Sequence, residues 1–264
     1  MASVRAQTAD DAAHLPAEAA EGGLHIDPMH QFEVFPLIPI RLGGIDASFT
    51  NASLWMVIAV AVISLLLLAP AKKLVPTRLQ LIGELAYEFC FNMVRDVVGE
   101  NGRPFFPFIF TLFLFILAAN MLGMVPYSFT VTSHIIVTFA LALFVFIGVT
   151  ILGFVRHGAG FLRFFVPAGV PVVLLPLLVV IEVISYLTRP ISLSVRLFAN
   201  MMAGHTMLKV FGAFVVGLGV LGGWAPLAFM VAFTGLEILV AFLQAYVFAV
   251  LTCIYLNDAL NMSH

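Results

Sequence analysis

An arginine, Arg196, stands in the middle of a long apolar stretch, with Val195, Leu197 and Phe198 around it. A guanidinium keeps its proton even where ionisation is costly, so at membrane depth it must meet a partner, a water-filled cavity or an ion path. Glu182, Ser185, Arg189, Ser192, Arg196 and Asn200 follow one another at steps of three or four residues. On a helix these positions share one narrow face. His205 lies nine residues beyond Arg196, about two and a half turns on and nearer the opposite face. A second apolar stretch carries Glu237 and Gln244, two turns apart, with Ala241 between them. His205 and Glu237 are both titratable and can share an aqueous pocket. Gln244 is uncharged and suited to orient Arg196 by hydrogen bonding without neutralising it. Groups of these kinds can pass protons or ions.

The chain has 264 residues, of which 62% are hydrophobic and only 10% charged. So few charges cannot cover a soluble protein of that length. The apolar runs are continuous instead of alternating, which predicts an all-α integral membrane protein and excludes a barrel. Cys90 and Cys253 have no metal-ligand spacing and imply no disulfide framework. No phosphate-binding glycine loop of the Walker type is present. His25, His30, His134 and His157 form no repeated pair with haem or metal spacing, so neither cofactor nor metal is expected. The net charge of −2 points to no nucleic-acid partner.

Residues 1–28 are polar and acidic, a tail on one side of the membrane; residues 29–264 form one membrane unit. Pro36 and Pro39 argue against a span before residue 50 and suggest an interfacial segment. Five crossings are expected, over 51–70, 104–122, 134–155, 170–217 and 226–257. Asn51 or Ser53 can cap the first. Over 77–99, Leu81, Leu85, Phe89, Met93 and Val97 repeat at four residues opposite Arg78, Glu84, Glu88, Arg95 and Asp96. That pattern predicts an amphipathic helix lying at the interface. The last two spans are too long for a perpendicular crossing. With Gly217, Gly219, Gly222 and Gly223 between them, they read as a strongly tilted hairpin. Pro190 should bend the first of the two, and Ala199, Ala203, Gly204 and Gly212 allow another backbone to come close. Lys72, Lys73, Arg78, Arg95 and Arg103 follow the first span; Arg156 and Arg163 follow the third. Basic loops stay on the cytoplasmic side, which puts the amino terminus outside and the carboxyl terminus inside.

The run Arg189-Pro190-Ile191-Ser192-Leu193-Ser194-Val195-Arg196-Leu197-Phe198-Ala199-Asn200-Met201-Met202-Ala203-Gly204-His205 closely resembles the signature of the subunit a family of F-type ATP synthases. Leu236-Glu237 through Gln244-Ala245-Tyr246 resembles that family's other hairpin helix, and Asn120 through His134 is a third match. Asp27-Pro28-Met29-His30-Gln31-Phe32-Glu33-Val34, and the placement of His205 and Glu237, resemble the alphaproteobacterial and mitochondrial kind. Some bacterial members carry an acidic residue after Asn120, where this chain has Gly123 and neutral neighbours.

The resemblance implies a non-catalytic stator subunit in a bacterial inner membrane. It would pack against a ring of c subunits, beside b-type peripheral-stalk subunits, the rest of the synthase and membrane lipid. Two aqueous half-channels would carry protons to and from ring carboxylates. Arg196 would hold the passing carboxylate ionised and block leakage, with Asn200, Gln244, Glu237, His205, Glu182 and Ser192 along the proton path. Two readings from other classes compete. A secondary transporter would show internal repeats, and no second copy of the 182–205 pattern exists. A haem-bearing redox protein would need the histidine spacing that is lacking.

Overall fold

The computed structural model describes residues 34–39, 41–42, 45–46, 48–68, 78–125, 128–166 and 174–261. The acidic tail and the basic pair Lys72 and Lys73 lie outside the described residues. The expected all-α membrane architecture is present. Six helices run in the order α1 (Asn51–Leu68), α2 (Arg78–Val98), α3 (Phe106–Gly123), α4 (Ile135–His157), α5 (Leu175–Gly222) and α6 (Trp224–Leu260). All but α2 are long and apolar enough to cross a membrane.

Before α1, the proline-bearing segment folds back on itself. Strands β1 (Pro36–Ile38) and β4 (Phe49–Thr50) pair antiparallel, with Pro36 opposite Thr50. Between them β2 (Arg41–Leu42) pairs with β3 (Ile45–Asp46). At the start of α1, Asn51 Oδ1 accepts the Ala52 N–H at 2.9 Å and Thr50 Oγ1 accepts the Ser53 N–H at 3.4 Å. Asn51 Oδ1 also accepts the Phe35 N–H at 3.3 Å and ties the strand segment to the helix start. Pro104 does not open α3 either. It sits in a 3-10 turn, Glu100–Phe105, and Pro107 occupies the first helical turn, where its missing N–H is not needed.

Helix α6 is the centre of the packing. Glu237, Ala241, Ala245, Ala249 and Cys253, at steps of four, are all buried. Lipid tails are as apolar as leucine, so helices in a membrane gain stability from close contact, and small residues permit it. Ile109, Phe113 and Ile116 of α3 and Leu197 and Met201 of α5 join them in the main core. On α2 the predicted stripe divides. Met93 is buried together with Cys90, Val94 and Val98, Phe89 packs on Phe113, Phe242 and Tyr246, and Leu81 and Leu85 face outward. One half of the stripe holds the protein and the other presents apolar surface, as an interfacial helix should.

Helix α5 continues through Pro190 and breaks at Gly219 (φ 61°, ψ −162°), a backbone conformation closed to side chains with a Cβ. Four residues later the Gly223 N–H donates to the Gly219 carbonyl at 2.8 Å and α6 begins. The hairpin turn therefore falls within the predicted glycine cluster, with α6 starting two residues earlier than expected.

Burial pushes the Cys90 thiol on α2 up to about 12. Thiolate is the reactive form. In the native protein at about pH 8, Cys90 should react with a water-soluble maleimide more than about a hundredfold slower than after detergent denaturation. Rapid native labelling at Cys90 would show that α2 does not pack as described.

Candidate functional site

The site is built on the two faces of α5. Tyr186, Pro190, Leu193, Leu197, Met201 and His205 recur at steps of three or four and are buried against the bundle. Ser185, Ser192, Arg196, Ala199, Asn200 and Ala203 lie on the surface left open. Glu182 is half-buried beside that surface. The sequence face thus emerges as an outward polar strip, with His205 on the opposite side as its spacing requires.

Arg189 leaves the strip. Its Nη1 meets Asp258 Oδ2 of α6 at 2.9 Å. The guanidinium also lies over the rings of Tyr255 (4.8 Å), Tyr186 (5.2 Å) and Phe164 (5.7 Å). Ring faces attract a cation most strongly where water is scarce. One carboxylate and three rings therefore answer the Arg189 charge, and the contact ties α5 to the last turn of α6.

The second fastening is His205 with Glu237. Both are buried, and Nδ1 of the imidazole contacts Oε1 of the carboxyl group. The other ring nitrogen, Nε2, lies 2.9 Å from the carbonyl of Gly123 at the end of α3. A carbonyl only accepts, so Nε2 must carry a hydrogen. Nδ1 faces the carboxyl oxygen, so a proton can pass between the two side chains with no change of tautomer at Nε2.

Polar groups gather around this pair. The Asn120 amide donates to the Ala241 carbonyl at 3.1 Å, one turn along α6 from Glu237. The Gly123 carbonyl also accepts from Ser128 at 3.1 Å and Thr130 at 3.3 Å. Ser128, Thr130, Thr132 and Ser133 are all buried in the charge-free loop between α3 and α4. Among the described residues, Asn120 Oδ1, Thr132 Oγ1 and Glu237 Oε2 have no hydrogen-bond partner. Buried polar atoms ordinarily find one, so this is a polar region, suited to water and protons.

Gly204 makes the contact possible. A Cβ there would stand 2.7 Å from Glu237 Oε1 and 3.0 Å from its Cδ. Grouping Gly204 with Ala199 and Ala203 as room for an outside partner is therefore corrected: Gly204 makes room for Glu237 of its own hairpin.

Arg196 lies between the two fastenings, seven residues after Arg189 and nine before His205. Those separations are about 10 Å and about 13 Å along the axis. It is exposed, and it takes part in neither hairpin ion pair. The expected hydrogen bond from Gln244 is not present among the described residues. Gln244 is half-buried. Ser192 and Asn200 flank Arg196 by one turn on either side. Sequence reasoning missed Asp258, the Gly123 carbonyl and the loop hydroxyls. The hydroxyl-rich run 128–133 was a visible signal; nothing local marked Asp258.

A family model described as ATP synthase A chain matches residues 53–257. The chain belongs to the ATP synthase A chain family. The match contains both hairpin fastenings except Asp258, together with Arg196 and Gln244. Curated relatives extend it over nearly their whole length. The ATP synthase subunit a of Pelagibacter ubique (strain HTCC1062) is 65% identical over 241 residues, covering 90% of this chain and 99% of that protein. The subunit a of Parvibaculum lavamentivorans (strain DS-1) is 60% identical over 256 residues, 94% of this chain and 98% of that one. That of Chelativorans sp. (strain BNC1) is 62% identical over 246 residues, 90% and 99% respectively.

Gly204→Ala should force the Glu237 carboxyl off His205 while leaving the Nε2 bond to Gly123. The ¹⁵N resonances of His205 report both: Nδ1 should shift and Nε2 stay. An unmoved Nδ1 would mean that the carboxylate does not need the space Gly204 leaves.

Proposed function

We propose that this chain is the proton-translocating stator subunit of a rotary ATP synthase, working against a ring of c subunits. The observation that carries the reading is Arg196: a permanent cation on the open face of a membrane hairpin, between two charged groups already paired within the chain. Family membership supplies the complex, and the geometry supplies the division of labour.

Protons approach from the outer side through the polar region of Asn120, the 128–134 loop, His205 and Glu237. The His205–Glu237 pair passes a proton toward the ring face near Asn200 and Gln244, where it neutralises a ring carboxylate. A neutral acid can face lipid; an ionised one cannot at tolerable cost. On the far side of Arg196, the Ser192 and Glu182 surface leads the released proton to the inner water. At about 4 Å and an effective dielectric near 20, a guanidinium and a carboxylate attract by about 4 kcal/mol. That corresponds to a factor of about a thousand in ionisation. Arg196 therefore strips the arriving carboxyl group of its proton and bars protons from crossing directly between the two paths. Ala199 and Ala203, small and exposed beside it, let the ring helices pass close.

The chain itself makes no covalent bond; ATP synthesis belongs to its partners, which include b-type stalk subunits. The amino terminus lies outside and the carboxyl terminus in the cytoplasm, by the placement of basic loops in a bacterial inner membrane.

The test is proton flux through membranes carrying the assembled complex, with Arg196→Ala beside the wild type. Substitution should abolish ATP-driven pumping and raise passive leakage. Pumping retained at more than about a tenth of wild type would leave Arg196 with a packing role, since a lost charge worth about 4 kcal/mol should cost far more.

A further inference from the structure

On the side of the bundle away from the polar strip, α3, α4 and α6 enclose a cleft of about 320 Å³. Phe105 and Phe108, Phe144, Gly148 and Val155, and Leu256 line it, and no residue of α5 does. The one hydroxyl in the wall, on Thr252, is spent on the Phe248 carbonyl at 2.8 Å. The cleft therefore offers hydrocarbon and nothing else. It lies open to the surroundings: Phe144 and Val155 are 65% and 77% exposed.

Its length and its end define what fits. Along α4 the lining runs from Phe144 to Val155, about 16 Å at 1.5 Å per residue. That is about the depth of one leaflet, half of a hydrocarbon core about 30 Å thick. The next residue on the same face is Arg156. It is exposed, and among the described residues it makes no hydrogen bond or ion pair. The neighbouring cation, Arg103, is already matched by Glu100 at 2.8 Å. His157 holds this end of α4 to α6 by a 3.1 Å bond to the Ala259 carbonyl. A transmembrane helix about 10 Å across would need on the order of 1,000 Å³ over the same length, far more than the cleft provides. A single hydrocarbon chain with a negative group at its end matches the volume, the depth and the free cation. Basic residues beside clefts between membrane helices hold acidic lipid headgroups in this way.

We propose that this cleft seats one acyl chain of an anionic phospholipid, with its phosphate against Arg156. The site would act as a fixed lipid wedge between α3 and α4, independent of the proton path.

The assembled complex would be reconstituted in phosphatidylcholine vesicles containing a trace of phosphatidylglycerol with a photoreactive diazirine near its tail end. A phosphatidylcholine probe with the same tail serves as reference, and labelled peptides are located by mass spectrometry. The phosphatidylglycerol probe should label the 105–108 and 144–155 segments about fivefold more than the reference, the preference one basic residue confers. Arg156→Ala should erase the preference. Gly148→Leu should abolish labelling by both probes, because a side chain at Gly148 projects into open space. Should Gly148→Leu fail to assemble, Arg156→Ala decides alone. Equal labelling by the two probes would reduce the cleft to ordinary lipid contact and overturn the proposal. So would photolabels absent from the cleft, with another subunit crosslinked there instead.

Discussion

An ionised side chain within a membrane must be paid for with a partner, and the hairpin of α5 and α6 answers that demand in three ways. Arg189 is matched by Asp258 and surrounded by aromatic rings. His205 and Glu237 are buried against each other, Nδ1 to Oε1, so each is the other's partner. Among the described residues Arg196 has no ion-pair partner. The first two arrangements join α5 to α6 on either side of the third, and they leave it on the open face. That asymmetry is the foundation of the functional reading. A cation left for another molecule implies that another molecule comes with an anion.

The remainder of the fold serves to keep those positions. Small residues at steps of four on α6 let α3 and α5 approach closely, so the buried His205 can reach both the Gly123 carbonyl and Glu237. The loop after α3 buries its hydroxyls, and Ser128 and Ser133 donate to the Leu122, Val125 and Thr130 carbonyls. It thereby forms a polar lining without any formal charge. A carboxylate there would compete with Glu237 for the imidazole. Among the described residues, Glu237 is the acid in contact with His205.

Much of this was legible in the sequence, for physical reasons. Apolar runs of spanning length, ended by glycine and basic clusters, gave the five crossings and the interfacial α2. Helical spacing put Arg196, Ser192 and Asn200 on one face and His205 on the other. What was not legible depends on contacts between distant segments. Arg189 and Asp258 are 69 residues apart, and no local pattern selects Asp258 over Glu182. Gly204 looked like room for a partner because sequence cannot say which helix fills it. That Thr50 joins Asn51 at the start of α1, and that Asn51 also holds the strand segment, depends on how that segment folds back. The Gln244 hydrogen bond was a geometric guess about two long side chains, whose rotamers spacing alone cannot fix.

The account rests on the permanence of the charge at Arg196, and Arg196→Lys isolates that property. Lysine keeps the cation at low pH but can shed its proton in a poorly hydrated site, whereas arginine cannot. Passive proton conductance of the assembled complex in vesicles should be measured from about pH 6 to about pH 9, a range in which arginine does not titrate. The wild type should remain tight throughout, and Arg196→Lys should turn leaky as pH rises. If the lysine variant stays as tight and as well coupled as wild type across the whole range, a permanent charge is not what separates the two proton paths, and the mechanism fails.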